Sequence, residues 1–335
     1  RLAATIQGGG AKFAVADIQD PVRFLRQPAP EGQEPLEPGF WTILQDRHRQ
    51  DLDKLAGGIV RNGPQATLRN VPLGRFGYLL TVDRREIEGF RSIQALTGEY
   101  LSQVQPARPL SIAVFGPPGS GKSFGIKQIA NTLAPGQIDV LEFNLSQFES
   151  TAELADALHQ VRDTNLRSRI PLVFWDEFDT PLEGRPLGWL RYFLAPMQDG
   201  AFREGQLVHP LGRALFVFAG GTSHKLEGFG QDLGPDAARA AKLPDFVSRL
   251  KGFVNVLGPN TQSSDAGAAS DPYYVLRRAI LLRSMLERNA PQLFSSANGG
   301  KKVLNIDRGL LRAFLHTASY KHGARSMETL IAMSQ

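Results

Sequence analysis

The residues best suited to chemistry in this sequence form the stretch Gly-Pro-Pro-Gly-Ser-Gly-Lys-Ser at positions 116–123. It follows an apolar, β-branched run at 110–115 that predicts a buried strand, and its glycines let the backbone curl so that N–H groups point at phosphate oxygens. Lys122 is placed to reach the β- and γ-phosphates of a nucleotide, and Ser123 to offer its hydroxyl to Mg²⁺. The residues predicted to bind the nucleotide here are Gly116, Pro117, Pro118, Gly119, Ser120, Gly121, Lys122, Ser123 and Phe124.

Two adjacent acids, Asp176 and Glu177, follow a second short apolar run at 172–175. Mg²⁺ on a nucleotide also needs a carboxylate at the end of a strand, and Asp176 is predicted to supply it. Glu177 is well placed to orient or deprotonate an attacking water molecule. Because the glutamate has water to activate, the pair favours hydrolysis over transfer of a phosphoryl group to a bound small molecule.

Alternating strands and helices are predicted to position these residues. Two helix starts have an acid three residues after a capping residue, Asp83 with Glu86 and Ser150 with Glu153. The alternation predicts an α/β core over residues 81–260, a five-stranded parallel sheet with helices on both faces. The runs that predict the strands lie at 110–115, 138–143, 172–175, 214–218 and 252–256.

The regions on either side of this core differ from it in composition. Residues 1–80 are rich in Gly and Pro and show no motif to which chemistry can be attached. Residues 261–270 are small and polar, which predicts a flexible joint. Asp271-Pro272 predicts the cap and first position of a helix, and residues 271–335 are predicted to form a small domain that is helical throughout.

Composition excludes several kinds of site. The 335 residues include no cysteine, which excludes disulfides, thiolate zinc sites and cysteine nucleophiles and is compatible with a reducing cytoplasm, the predicted location. The formal net charge of +5 is too small over this length to indicate nucleic acid by itself. The six histidines show no paired spacing typical of metal ligands, so Mg²⁺ is the one metal predicted. No apolar run approaches the roughly 20 residues of a membrane helix, and no membrane partner is expected.

With these motifs in order, the sequence resembles the AAA+ ATPases, which are P-loop proteins, and its core is similar to the Clp-type unfoldases over about residues 83–331. The resemblance implies a P-loop AAA+ core of the α/β class with a small C-terminal helical lid, and ATP with Mg²⁺ bound between them. It also implies a homo-oligomeric ring, expected to be a hexamer, in which hydrolysis remodels a macromolecular partner.

The resemblance also implies a polar residue that senses the γ-phosphate (sensor 1). The segment 197–223 is similar to the Asp-Gly turn, short hairpin and fourth strand that end at this position in Clp-type proteins. Thr222 is the first choice for the sensor and Ser223 the second, because two glycines before them leave the register open.

Two arginines complete the implied site. Arg249 resembles the arginine finger that projects into the nucleotide site of the neighbouring subunit, and Arg239 is the less favoured choice. Arg325, in a Gly-Ala-Arg triplet, resembles sensor 2, which points from the lid towards the phosphates. The implied catalytic residues are Glu177, Lys122, Arg249, Thr222 and Arg325.

The sequence departs from the Clp-type pattern because it has no second ATPase cassette and no clear aromatic pore loop. Phe148 is the candidate pore residue, with simple packing as the alternative. Adenine is expected at the joint of core and lid, near Tyr273-Tyr274 or residues 76–82, although packing explains both equally well. Two other functions stay open: a nucleotide-controlled switch or scaffold with slow turnover, and a nucleic-acid-remodelling ATPase whose binding would depend on salt.

Overall fold

The structure, a computed structural model, describes residues 43–48, 51–69, 71–104, 106–262, 271–297 and 301–334. The predictions for residues 1–42 and for most of the 261–270 joint lie outside these ranges. Every helix within them is too short or too polar to cross a lipid bilayer.

The elements of the described residues are numbered in chain order. The strands are β1 Gly74–Phe76, β2 Leu79–Thr81, β3 Leu110–Phe115, β4 Ile138–Asn144, β5 Ile170–Asp176, β6 Ala201–Glu204, β7 Leu207–Pro210, β8 Leu215–Ala219, β9 Gly252–Asn255, β10 Phe294–Ala297 and β11 Lys301–Leu304. The helices are α1 Ile43–His48, α2 Leu52–Asn62, α3 Pro64–Thr67, α4 Arg84–Ser102, α5 Lys122–Leu133, α6 Thr151–Leu166, α7 Leu190–Asp199, α8 Pro235–Ala240, α9 Leu243–Arg249, α10 Tyr274–Asn289, α11 Arg308–His316 and α12 Ala324–Met333.

The core is a five-stranded parallel sheet in the order β4-β5-β8-β3-β9, which confirms the predicted fold class. Strands β3 and β8 are buried along their whole length, as expected where helices cover both faces of a sheet. Phe90 of α4 and Ile126 of α5 pack on one face. Val161 of α6 and Phe193 of α7 pack on the other.

The two predicted helix starts form in different ways. The Ser150–Glu153 capping box closes at the start of α6. At α4 the Asp83 side chain accepts a hydrogen bond from the N–H of Arg85. Glu86 does not complete a box there, because it is buried and accepts from Thr81 Oγ1 (2.6 Å) and from the N–H of Leu257 (2.9 Å). It therefore ties the end of β2 to the segment that leads towards the lid, and its burial raises the pKa of the Glu86 carboxyl.

The C-terminal domain, called the lid (residues 271–334), is not helical throughout, so that prediction is wrong. Residues 294–297 and 301–304 form an antiparallel hairpin, β10–β11. The sequence Asn-Gly-Gly at 298–300, a turn signal between two short runs, was the overlooked indication.

The start of the first lid helix also differs from the prediction. Helix α10 begins at Tyr274, and Asp271 does not cap it. The Asp271 carboxylate is buried and binds the guanidinium of Arg277 instead. An opposite charge held in a buried position competes successfully with a helix cap for the carboxylate.

The lid is completed by a segment from the N-terminal region. Leu55, Ala56 and Ile59 of α2 share one apolar cluster with Leu276 and Ala279 of α10. Division of the chain at residue 80 therefore does not follow the packing, since α2 packs with helices more than 200 residues away.

Buried arginines of α10 join these separate segments. Arg283 donates to the carbonyls of Val60 (3.0 Å) and Arg61 (2.9 Å) in the last turn of α2, where a helix offers its carbonyls no N–H partner of its own. Arg278 is fully buried and lies over the rings of Tyr274 and Tyr320, with 4.7 and 5.0 Å between Cζ and the ring centroids. Its guanidinium donates to the carbonyls of Pro259, Leu315 and Thr317.

Substitution Arg278→Met is expected to lower the free energy of unfolding by about 2–4 kcal/mol, because methionine fills the space but leaves buried carbonyls without donors. Chemical denaturation followed by circular dichroism measures this change. Arg312→Met, at an exposed arginine of the same lid, is the control and is expected to leave stability unchanged. Equal stability of the two variants would contradict a structural role for Arg278.

Candidate nucleotide-binding site

The phosphate loop, residues 116–123, lies at the carboxyl end of β3 and runs into α5. Lys122 at the first position of α5 donates from Nζ to the carbonyl of Gly116 (2.8 Å), which holds the ammonium over the loop. Burial lowers the pKa of Lys122, while the negative charges of Asp176, Asp179 and Glu177 act in the opposite direction. The lysine is thus held partly desolvated beside acids, which suits a group that binds phosphate.

The acids Asp176 and Glu177 lie at the carboxyl end of β5. Asp176 is level with Ala219 of β8, which is level with Val114 just before the phosphate loop. Burial and the nearby charges of Glu142 and Glu177 raise the pKa of Asp176, whereas Lys122 lowers it. A divalent cation would relieve this repulsion, and a carboxylate with the Ser123 hydroxyl on α5 is a donor set that suits Mg²⁺.

Glu177 has a left-handed backbone, with φ of 53°, which is uncommon for a residue other than glycine. Its N–H donates to the carbonyl of Ala219 (2.9 Å), so the end of β8 holds it in place. A strained, over-determined conformation of this kind fixes the direction of a side chain, as a residue that orients water requires.

Asp179 is a site residue that the sequence analysis missed. It is buried, and its carboxylate accepts from the N–H groups of Gly221 (3.0 Å) and Thr222 (2.8 Å) and from the Thr222 hydroxyl. The predicted sensor Thr222 therefore donates its hydroxyl hydrogen bond to Asp179, and its oxygen remains available as an acceptor. Ser223, the second choice, contacts the carbonyl of Gly228 at 3.4 Å. The sequence does contain a signal for Asp179, because it is the third acid in the pattern Asp-Glu-Phe-Asp at 176–179.

The lid contacts the phosphate loop through two glycines. The N–H of Ala324 donates to the carbonyl of Gly119 (3.0 Å). Gly119 has φ of 71°, and a Cβ there would lie 2.2 Å from the carbonyl oxygen of His322. Gly323 has φ of 58°, and its Cβ would lie 2.7 Å from the carbonyl oxygen of Pro118. Both positions therefore require glycine, because backbone meets backbone.

This contact brings the first turn of α12, with Arg325, to the phosphate loop. The positive charge of Arg325 adds to the lowering of the Lys122 pKa that burial causes. Arg325 is exposed, so its guanidinium can turn towards a phosphate. The contact of Arg325 with the phosphates that Lys122 would bind stays a prediction.

A cavity of about 400 Å³ extends from the phosphate loop between β1–β2 and α10, within the size range of small-molecule pockets. Its lining includes Gly77, Tyr78, Leu79, Leu80, Thr81, Ser120, Gly121, Phe124, Ile280, Leu281, Ser284 and Met285. The β1–β2 hairpin, one of the two segments considered for adenine, thus lies beside the loop. Tyr273-Tyr274, the other segment, is not part of the lining, and Tyr274 packs on Arg278.

Arg249 lies at the edge formed by the amino-terminal ends of the strands, opposite the edge formed by their carboxyl ends, where the phosphate loop lies. The N–H of Lys251 donates to the carbonyl of Ser111 (2.8 Å), and Gly252 is level with Ile112. These pairs belong to the start of β3, whereas the loop follows its end, and a six-residue strand spans roughly 20 Å. Arg249 donates to the carbonyl of Asp245 (2.5 Å) and lines a 170 Å³ pocket with Arg108 and Lys251. This cationic pocket cannot serve the phosphates of its own chain.

Phe148, the candidate pore residue, packs into the core. Its ring lies 5.9 Å from that of Trp189 and 6.4 Å from that of Phe143 between centroids, both with edge-to-face geometry. These contacts account for Phe148 as a packing residue.

Substitution Asp176→Asn is expected to raise the free energy of unfolding of the nucleotide-free protein at pH 7. Because the pKa of Asp176 is raised in the folded state, ionisation above that pKa costs folding free energy that asparagine avoids, and the difference disappears below the pKa of the unfolded carboxyl. Chemical denaturation without Mg²⁺ measures this change. Asp156→Asn, at an exposed aspartate of α6, is the control, and lower stability of Asp176→Asn than of this control would contradict the prediction.

No curated protein matches the chain. Three solved structures of NtrX from Brucella abortus are similar to it: a complex with ADP (TM-score 0.47, 14% identity, 74% of this chain and 48% of that one), a complex with ATP (0.47, 15%, 77% and 52%) and a third structure (0.43, 14%, 75% and 53%). The chain spans about half the length of these NtrX chains.

The segment that holds the phosphate loop and Asp176-Glu177 also matches a known family. Residues 112–197 match the family described as "ATPase family associated with various cellular activities (AAA)". The finer likeness to Clp-type unfoldases is not confirmed by these matches and stays a prediction. Residues 112–197 of this chain are therefore similar to an AAA ATPase family domain.

Proposed function

We propose that this protein binds ATP with Mg²⁺ between core and lid, hydrolyses it as a homo-oligomeric ring, and uses the cycle to remodel a macromolecular partner. The observation that supports this most is the division of charged groups between two edges of one sheet. Lys122, Asp176, Glu177 and Arg325 gather at the phosphate loop, and Arg249 lies at the far edge. Such a division suits a site shared between neighbouring subunits.

Each residue at the loop has a distinct task in the proposed mechanism. The backbone N–H groups of residues 116–121 and the Lys122 ammonium bind the phosphates. Ser123 and Asp176 would hold Mg²⁺, which neutralises phosphate charge when it is bound. Glu177, fixed by its N–H bond to Ala219, orients the attacking water and accepts its proton. Lys122 and Arg325 stabilise the charge that develops on the transferring phosphoryl group.

The neighbouring subunit completes this site in the proposal. Arg249 stands beside Arg108 and Lys251, and this concentration of positive charge is suited to face the γ-phosphate bound by another subunit. An arginine supplied in trans stabilises the transition state by about 10³–10⁵ in rate. Turnover per subunit is therefore expected to rise with protein concentration as rings assemble.

Two contacts are suited to transmit the state of the nucleotide. The bond from Ala324 to Gly119 joins the lid directly to the phosphate loop. Arg277 spans the joint, since its guanidinium lies 3.5 Å from Asp83 of the core and also binds Asp271 of the lid. Movement of the loop on binding or hydrolysis would thus turn the lid relative to the core, and this rotation would act on the partner.

Substitution Glu177→Gln is expected to preserve ATP binding and abolish turnover, because glutamine keeps the shape but cannot accept the proton of water. Titration with a fluorescent ATP analogue measures binding, and phosphate release measures turnover. Glu183→Gln, which changes an exposed glutamate later in the same loop, is the control. It is expected to retain both ATP binding and turnover. Normal phosphate release by Glu177→Gln would remove Glu177 from the mechanism.

Mixing two inactive variants tests the shared site. Arg249→Ala and Lys122→Ala are each expected to lose turnover by about 10³-fold or more. In an equal mixture, about a quarter of interfaces pair an intact Lys122 with an intact Arg249, so activity returns to up to about a quarter of wild type. Phosphate release by the mixture, compared with each variant alone, measures this recovery.

The control for the assignment of Arg249 is Arg239→Ala, which changes an exposed arginine of α8. This variant is expected to hydrolyse ATP at the wild-type rate. Full activity of Arg249→Ala would show that the finger assignment is wrong. If Arg249→Ala is inactive and phosphate release does not recover in its mixture with Lys122→Ala, Arg249 does not act on the site of a neighbouring subunit.

A further inference from the structure

A cluster of metal-binding side chains lies away from the nucleotide site, on the β6–β7 hairpin and helix α6. His159 Nε2 is 2.9 Å from Glu204 Oε2, and His209 Nε2 is 3.6 Å from the same oxygen. The three ligand atoms all lie within 4.8 Å of one another. The spacing of the histidines in the sequence does not indicate this site, because His159 and His209 lie on different elements.

The fold holds these side chains together through ordinary strand and helix geometry. Phe202 and His209 are opposite each other in the hairpin, and Glu204 follows Phe202 by two residues, so all three share one face. Phe202 is buried, with its ring 4.8 Å from that of His159 and 5.1 Å from that of His209. This apolar contact fixes the hairpin on α6 and points Glu204 and both imidazoles towards one another.

We infer that His159, Glu204 and His209 form a binding site for a divalent transition metal ion of the Zn²⁺ type. Two imidazole nitrogens and a carboxylate oxygen are ligands that Zn²⁺ and its neighbours in the first row prefer, whereas Mg²⁺ prefers oxygen alone. Tetrahedral Zn²⁺ places its ligand atoms roughly 3.4 Å apart, and the two separations from Glu204 lie on either side of that value. Glu204 is exposed over 57% of its side chain, so water can reach a fourth position.

The hydrogen bonding of His209 agrees with this site. Its Nε2 is buried and has no hydrogen-bond partner among the described residues, which is unusual for a buried polar atom. An ion bound between these atoms satisfies the Nε2 that the protein alone leaves unpaired.

Arg162 is the one cation that opposes metal binding among the described contacts of this cluster. Its Nη1 lies 3.1 Å from His209 Nδ1, and its Nε and Nη2 bind Asp163 Oδ1 at 3.2 and 3.0 Å. A guanidinium that donates to Nδ1 leaves the proton of the neutral ring on Nε2. Coordination through Nε2 therefore requires this proton to move to Nδ1 and Arg162 to release that nitrogen. Removal of Arg162 is therefore expected to strengthen metal binding.

The ion would link helix α6 to the β6–β7 hairpin. His159 belongs to α6, and the other two ligands belong to the hairpin that continues into β8. A metal bound by all three restrains the hairpin on the helix and stabilises the folded state by mass action. The site needs no nucleotide, so its test is independent of the proposed ATPase activity.

The test uses the whole chain without a polyhistidine tag, in excess Mg²⁺ to fill the nucleotide site. Co²⁺ is titrated while visible absorption is recorded, and Zn²⁺ is then added as competitor. One equivalent of Co²⁺ with the absorption of a four- or five-coordinate nitrogen–oxygen site, displaced by Zn²⁺, is expected. His159→Gln, Glu204→Gln and His209→Gln should each weaken binding by at least about tenfold.

His224→Gln, at an exposed histidine elsewhere, is the matched control and should bind Co²⁺ like the wild type. Absent uptake by the wild type, or equal uptake by His209→Gln, would overturn the inference. Arg162→Gln keeps all three ligands and covers the case in which a ligand variant fails to fold. It should bind Co²⁺ more tightly than the wild type, and unchanged or weaker uptake would also overturn the inference.

Discussion

The parallel register of β5, β8 and β3 is the constraint on which the rest of the site depends. Asp176, Ala219 and Val114 are level across three strands, so the acids and the phosphate loop emerge at the same edge. The same register sends the chain before β9, with Arg249, to the other edge. A parallel sheet buried on both faces cannot slip by one residue without exposing apolar side chains, so this separation of charges is built in.

The site keeps charges where the fold alone would not favour them. Burial lowers the pKa of Lys122 and raises that of Asp176, so both ionised groups are partly desolvated. The left-handed backbone of Glu177 is a further cost in folding free energy. Costs of this kind are typical of functional sites, and they are met by stability elsewhere. In this protein the surrounding core contains a dense set of aromatic contacts, among them Phe178 with Phe218 and Phe246.

The joint of core and lid depends on arginines rather than on apolar packing alone. Arg277, Arg278 and Arg283 lie buried on α10, and each binds backbone carbonyls of other segments. The guanidinium presents five donors in a rigid plane, so one side chain can satisfy several carbonyls at once. Through Arg283 the N-terminal helix α2 becomes part of the lid, and movement of the lid would move that helix with it.

The sequence by itself determined the five strands, the phosphate loop, the pair Asp176-Glu177 and the helix starts at Asp83 and Ser150, because short-range patterns of apolarity, glycine and caps specify such elements. It misjudged the β10–β11 hairpin and the Asp271 cap, where a turn signal and a buried charge decided the outcome. Only the tertiary structure could place Asp179 on Gly221 and Thr222, or Arg283 on a carbonyl 223 residues away. The same holds for His159, Glu204 and His209. These contacts join residues on separate elements, and no local spacing encodes a distance that arises only when the elements pack.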